Sequence, residues 1–267
     1  MSGFFEEEHE KRAELEPVSV PGLRLVAARP PVEGLLFPLN GTEPRAAEQY
    51  RIIRTKVLMA PRAIRMLCVS SPQVGDGKSI TAVNLAGALA LKLGQSVLLV
   101  DGDFRRSSLG ALLGVPSSPG LAEVLAGNCG WKDAVARLEN PPNLYFLPAG
   151  QNTAHPAELF DSPAWSATCF ELRRHFHCIV VDCPPVGLVA DYYLIEAAAD
   201  GVIVVVRPDH TLRSLCFKAL DTVPPEKLLG VIINMAPAWF LSKPAAHGYP
   251  YYAERAGKRR GQEEGAS

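Results

Sequence analysis

No apolar run in this chain of 267 residues approaches the roughly 18–20 positions that a membrane-crossing helix needs. The best uninterrupted stretch, Gly201 to Val206, reads as a short strand. None of the six cysteines (Cys68, Cys129, Cys169, Cys178, Cys183, Cys216) forms a close C-x-x-C pair, so the usual metal-binding spacings are missing. Cys68, Cys178 and Cys216 sit in apolar segments and read as small buried hydrophobes. The first residues, Met-Ser-Gly-Phe-Phe-Glu-Glu-Glu-His-Glu-Lys-Arg, contain no apolar core. A secretory leader is therefore not expected, and reduced thiols in the cytoplasm are. Net charge is −1, so no global field argues for nucleic acid or an acidic substrate. No internal repeat is present.

What remains is an ordinary globular composition, 48% hydrophobic and 21% charged. The length suits one large domain with tails and a core of useful size.

The chain is organised around Val69-Ser70-Ser71-Pro72-Gln73-Val74-Gly75-Asp76-Gly77-Lys78-Ser79. The apolar run Met66-Leu67-Cys68-Val69 enters it, and an Ala/Leu-rich helical segment from Ile80 to Leu93 leaves it. A strand, a glycine-rich turn, Lys-Ser and a helix form the arrangement that wraps a polyphosphate. Turn N–H groups point at phosphate oxygens, Lys78 reaches the terminal phosphates, and the Ser79 hydroxyl can ligate Mg²⁺. Pro72 stands where the common pattern has its first glycine. The bland alternative is a glycine turn that merely needs positive φ.

Residues 1–41 are rich in proline, glutamate and arginine and are expected to form a mostly irregular leader. Thr42-Glu43-Pro44 then starts a helix to about Met59, with Tyr50, Ile53 and Val57 as its apolar stripe. Glu48, Arg51 and Arg54 form one slanted charged band on it, which by itself reads as a solvated face. Strands are expected at 66–70, 96–101, 143–147, 178–182, 201–206 and 229–234. Helices are expected at 79–93, 120–127, 131–138, 156–176, 190–199 and 210–220. Continuous Val/Ile/Leu strands alternating with helices give an α/β fold, a mostly parallel sheet with helices on both faces. Right-handed crossovers put the phosphate turn and the strand ends on one carboxyl edge. From about residue 237 to 267 the chain is polar and punctuated, and a flexible tail is expected.

Two apolar strands end in aspartate, Leu98-Leu99-Val100-Asp101-Gly102-Asp103-Phe104-Arg105 and Cys178-Ile179-Val180-Val181-Asp182-Cys183-Pro184-Pro185. An acid in that place can hold Mg²⁺ or accept a proton from an attacking hydroxyl. Either alone could be a helix cap. Asp103, two residues after Asp101, is the unusual addition, because two acids can divide metal and base roles.

Together these residues resemble the bacterial tyrosine autokinases (BY-kinases) of exopolysaccharide and capsule systems, P-loop NTPases with a deviant Walker A turn. The resemblance covers about residues 44–236. It rests on Gly-Asp-Gly-Lys-Ser at 75–79, Asp-x-Asp-x-Arg at 101–105, Asp-x-Pro-Pro at 182–185 and Glu-x-x-Arg-x-x-Arg at 48–54. Gly120 to Gly127, Leu147 to Gly150, Ala190-Asp191 and Gly230 to Asn234 also fit. The resemblance implies that Gly75, Asp76, Gly77, Lys78, Ser79 and Ile80 bind ATP, with Arg105 beside them and Asn234 on the adenine side. It implies that Ser79, Asp103 and Asp182 hold Mg²⁺, that Asp101 is the candidate base, and that Lys78 completes the catalytic set. Asp101 and Asp103 could also divide these jobs otherwise.

The same resemblance assigns Glu48, Arg51 and Arg54 to the subunit contact of a ring-like oligomer. It makes Tyr249, Tyr251 and Tyr252 the phosphoacceptors. Three of the seven tyrosines fall within that short stretch of tail. Gln73 occupies the place where partitioning-type ATPases carry a second lysine, which argues against that class. The implied function is ATP-dependent autophosphorylation in trans that regulates polysaccharide synthesis or export. The alternative is a partitioning-type regulatory ATPase that hydrolyses ATP without modifying protein. A separate membrane-spanning activator of the polysaccharide co-polymerase type is implied, recruiting a cytoplasmic chain to the inner face of the membrane; no nucleic acid is.

Overall fold

The computed structural model describes residues 22–29, 44–92, 95–151 and 155–236. Residues through Asn234 form one compact unit, and a second begins at Met235. Tyr249, Tyr251 and Tyr252 lie outside the described residues.

The chain runs β1 (Arg24–Val26), α1 (Pro44–Leu58), β2 (Met66–Ser70), α2 (Lys78–Ala90), β3 (Val97–Asp101) and α3 (Leu109–Leu113). It continues with α4 (Leu121–Leu125), α5 (Trp131–Ala134), β4 (Ala136–Leu138), β5 (Leu144–Leu147), α6 (Pro156–Phe160) and α7 (Pro163–His175). The last described elements are β6 (Cys178–Asp182), α8 (Ala190–Ala198), β7 (Gly201–Val206), α9 (Arg213–Thr222) and β8 (Leu228–Ile233).

Eight strands form one sheet in the order β1-β4-β5-β3-β6-β2-β7-β8. From β5 to β8 every neighbouring pair is parallel. Among the described strands only the β4–β5 pairing is antiparallel. The central strands are buried along their whole length, so their sequences are continuous apolar runs. Alternation across the pleat sends Met66, Leu98, Val100, Ile179 and Val181 into one core layer. It sends Leu67, Val69, Val97, Leu99 and Val180 into the other. The first layer is closed by Phe160, Trp165, Leu172 and Tyr192 from α6, α7 and α8. The second is closed by α2, with α1 laid against it through Tyr50 and Val57. Helix α2 is therefore buried nearly all round, which is why it is built from Ala, Gly and Leu.

Three local expectations need correction. Residues 136–138 are not helical: Asp133 accepts the Gly130 N–H at 3.0 Å, closing a single turn, and the chain then extends to pair with β5. The expected long helix over 156–176 is two helices, because Pro163 opens a new one at its first turn. Within the leader, Arg24–Val26 is a short strand parallel to β4, and the Arg29 N–H donates to Leu113 O at 2.8 Å.

The loop before β7 is tied down by Asp200. Its carboxylate accepts from the Arg65 N–H at 2.9 Å, the Met66 N–H at 2.7 Å and the Arg173 guanidinium at 2.8 and 3.0 Å. Burial would raise its pKa, but the bonds from Arg173, Met66 and Arg65 outweigh burial and hold it below the usual carboxylate range. A depressed native pKa contributes stability above the unfolded value and loses it as pH falls through the native one. Asp200→Asn is expected to cost about 1.5–3 kcal/mol at neutral pH, the range for hydrogen bonds to a charged group. Urea unfolding from pH 7 to pH 3 checks this; the gap between variant and unsubstituted chain should narrow on the acid side.

Candidate active site

Because β2, β3 and β6 are adjacent and parallel, their carboxyl ends meet at one edge. In register, Asp182 lies across from Asp101 on one side and Val69 on the other. The Gly102 N–H then donates to Asp182 O at 2.9 Å. A Cβ at Gly102 would sit 2.9 Å from that oxygen, so the two acid-bearing strands close up only with glycine there. The strand-end acids expected from sequence therefore converge on the phosphate turn.

The turn takes two left-handed residues, Gly75 at φ 94° and Gly77 at φ 89°. Gly77 hands the chain to α2, whose first residue is Lys78. A Cβ at Gly77 would meet Asn234 Nδ2 at 2.0 Å. That amide donates to Asp76 O at 2.9 Å, so Asn234 abuts the phosphate turn itself.

The Lys78 ammonium is held 2.9 Å from Asp103 Oδ2 and 3.2 Å from Asp182 Oδ1, with Ser79 Oγ at 3.3 Å. Asp101, Asp103 and Asp182 are all buried. Burial alone would lower the Lys78 pKa, but the charges of Asp182 and Asp103 outweigh it and hold the ammonium protonated. Burial raises Asp182, and Lys78 offsets only part of that. One cation thus contacts two of the three buried carboxylates, and Asp182 Oδ2 has no hydrogen-bond partner among the described residues. Such an excess of buried negative charge is costly unless further positive charge arrives.

Asp101 is arranged differently. Its Oδ2 accepts from Ser107 Oγ at 3.0 Å and from the Ser108 and Leu109 N–H groups at 3.2 and 3.1 Å, at the start of α3. Its Oδ1 meets only the Asp103 N–H, at 3.3 Å. Burial, followed by the charge of Asp182, pushes this carboxyl up to about 7 against the opposing bonds from Leu109 and Ser107.

Among the described residues no group of three or more His, Cys, Asp or Glu side chains could hold a metal ion by itself. Mg²⁺ does not need such a cage, since it keeps waters and takes one or two carboxylates plus substrate phosphates. Asp103, Asp182 and the Ser79 hydroxyl fit that oxygen donor set, and the orphaned Asp182 Oδ2 fits a site that a hydrated cation completes.

The remaining sequence candidates are less central. Arg105 is committed to a bidentate pair with buried Asp191 at the start of α8, at 2.7 and 3.2 Å. Glu48 and Arg51 pair at 2.8 Å on the exposed face of α1. Arg54 leaves that band and donates to Ala88 O at 3.1 Å, fastening α1 to α2. Asp76 is buried, and its carboxylate turns toward His210 and Thr211 of the loop after β7. Sequence reasoning missed those two residues. They lie 134 and 135 positions from Asp76 and belong to no motif.

A family profile described as "AAA domain" matches residues 64–215. The chain is 33% identical over 214 residues to the tyrosine-protein kinase YwqD of Bacillus subtilis, covering 78% of this chain and 88% of that one. The chain belongs to the bacterial tyrosine-kinase family. Among solved structures it is similar to the chimerical protein CapA2B2, with a TM-score of 0.72, 28% identity, and coverage of 87% of this chain and 99% of that one. It is also similar to the septum site-determining protein MinD of Pyrococcus horikoshii, solved with Mg-ADP. There the TM-score is 0.54 at 27% identity, over 63% of this chain and 69% of that one. The fold is therefore that of the MinD-type P-loop NTPases, and the family is the kinase branch. No helix among the described residues is long and apolar enough to cross a membrane.

Proposed function

We propose that the chain is an ATP-dependent protein-tyrosine kinase that phosphorylates the tail tyrosines Tyr249, Tyr251 and Tyr252 in trans within an oligomer. By that means it regulates exopolysaccharide or capsule synthesis or export. The observation that carries this reading is the division of labour among the carboxylates. Asp103 and Asp182 face the Lys78 ammonium, while Asp101 stands apart with one oxygen anchored and the other lightly held.

Phosphoryl transfer calls mainly for positioning and neutralisation of charge. The N–H groups around Gly75 and Gly77 cradle phosphate oxygens, and Lys78 swings from its acids to the terminal phosphates. Ser79, Asp103 and Asp182 would hold Mg²⁺, which supplies charge neutralisation on the transferring group. Asp101 Oδ1 accepts the proton of the incoming tyrosine hydroxyl as the new P–O bond forms and the bond to ADP breaks. A carboxyl raised to about 7 suits a base working near neutral pH. The exposed Glu48–Arg51 pair on α1 supports a subunit contact there, while Arg54 is turned to Ala88 O of α2. A separate membrane-spanning activator of the polysaccharide co-polymerase type would bring this cytoplasmic chain to the inner face of the membrane.

Incubating the full chain with Mg²⁺ and ATP, with the activator's cytoplasmic segment added, tests the reading. Phosphotyrosine detected by mass spectrometry is expected. Steady ATP consumption without phosphotyrosine would return the site to a regulatory ATPase.

A further inference from the structure

The irregular start of the phosphate turn, Pro72-Gln73, has no part in the chemistry above. Its contacts point elsewhere. Gln73 Nε2 donates to His210 O at 2.9 Å and lies 2.9 Å from His210 Nδ1. The same Nδ1 is 2.9 Å from Asp76 Oδ1. A carboxylate only accepts, so in this arrangement Nδ1 carries the proton toward Asp76 and the glutamine bonds the His210 carbonyl. Thr211 Oγ1 donates to Asp76 Oδ1 at 2.7 Å and accepts from the Arg207 N–H at 2.9 Å. The Gln73 N–H donates to the other carboxylate oxygen at 3.2 Å.

The loop that supplies these groups is itself well built. Thr211 N–H donates to Arg207 O at 2.9 Å, and Asp209 takes a left-handed φ of 60° that turns the chain. The His210 ring lies over Gly75, where a Cβ would come within 3.1 Å of Cε1. Asp76 is thus a buried carboxylate placed two residues before Lys78, and its side-chain partners come from Gln73 and a loop on a different strand. Buried carboxylates are retained only when so satisfied.

We propose that Gln73, His210 and Thr211 clamp the phosphate turn through Asp76, and that His210 is the positioning residue that sets affinity for the nucleotide's phosphates. The proposal rests on the nucleotide reading given above. It assigns Asp76 to holding the turn in shape, leaving phosphate contact to the backbone N–H groups. Gln73 then has a structural role, supplying a bond to the loop after β7 where a lysine would have aimed a charge at phosphate.

The test uses the full chain and measures equilibrium binding of Mg-ATP and Mg-ADP together with the thermal unfolding midpoint without nucleotide. His210→Ala is expected to weaken both nucleotides about tenfold in a chain that remains folded, its midpoint lowered only as far as the loss of one hydrogen bond to Asp76 requires. His210→Asn, which keeps a donor near the Nδ1 position, is expected to recover most of that affinity. Thr211→Val should weaken binding in the same direction, and the loss should not add to that of His210→Ala, since both act through Asp76. Unchanged affinity in His210→Ala overturns the clamp. So does a fall in affinity that tracks a fall in midpoint and is not recovered by asparagine. Failure of the unsubstituted chain to bind either nucleotide overturns the reading of the site, and this proposal with it.

Discussion

Lys78→Met is expected to abolish phosphotyrosine formation, with transfer falling at least about a hundredfold, the scale seen when a preorganised charge-stabilising group is removed. The side chain sits among buried acids, at 2.9 Å from Asp103 and 3.2 Å from Asp182. Its loss removes the group that would meet the terminal phosphates and leaves both acids without their partner. Breaking a buried pair in this way costs about 3–5 kcal/mol, so the variant must be shown to fold. Circular dichroism and an unfolding curve, taken beside the transfer assay, separate lost chemistry from lost structure. Magnesium is expected to restore part of the stability of the variant by replacing the missing positive charge. Full transfer activity in a folded Lys78→Met chain would contradict the assignment.

Gly77→Ala is expected to reduce nucleotide affinity by more than tenfold. Two costs combine. An alanine at φ 89° meets the left-handed penalty of roughly 1–2 kcal/mol. Its Cβ would also fall 2.0 Å from Asn234 Nδ2, so Asn234 must move and give up its bond to Asp76 O. The double variant Gly77→Ala/Asn234→Ala should recover the part due to the clash and keep the part due to φ. Isothermal titration with Mg-ADP measures both. Equal affinity of Gly77→Ala and the unsubstituted chain would show that the turn is not the nucleotide cradle.

Much of the frame was legible because the central strands are buried on both faces. Met66–Ser70, Val97–Asp101, Cys178–Asp182 and Gly201–Val206 are mostly apolar runs, and the ends of the second and third carry the acids that topology then brings to one edge. The short peripheral strands were not. Arg24–Val26 and Ala136–Leu138 have three residues each, too few to show a period, and the second follows a helical turn directly. In the site, the meeting of Lys78 with Asp103 and Asp182 follows from strand-end placement. The Arg105–Asp191 pair and the clamp on Asp76 join side chains far apart in sequence, and Asp101 is anchored by one serine hydroxyl and two backbone N–H groups six to eight positions on, contacts that no sequence motif records.

A mixing experiment tests the central claim most directly. An active chain with Tyr249, Tyr251 and Tyr252 changed to phenylalanine is incubated with a Lys78→Met chain that keeps its tail, in Mg²⁺ and ATP with the activator segment. Mass spectrometry then maps phosphate on the inactive partner. Phosphate on Tyr249, Tyr251 or Tyr252 of the Lys78→Met chain is the predicted result. ATP consumed by the active chain with all three tyrosines of the partner unmodified would contradict it.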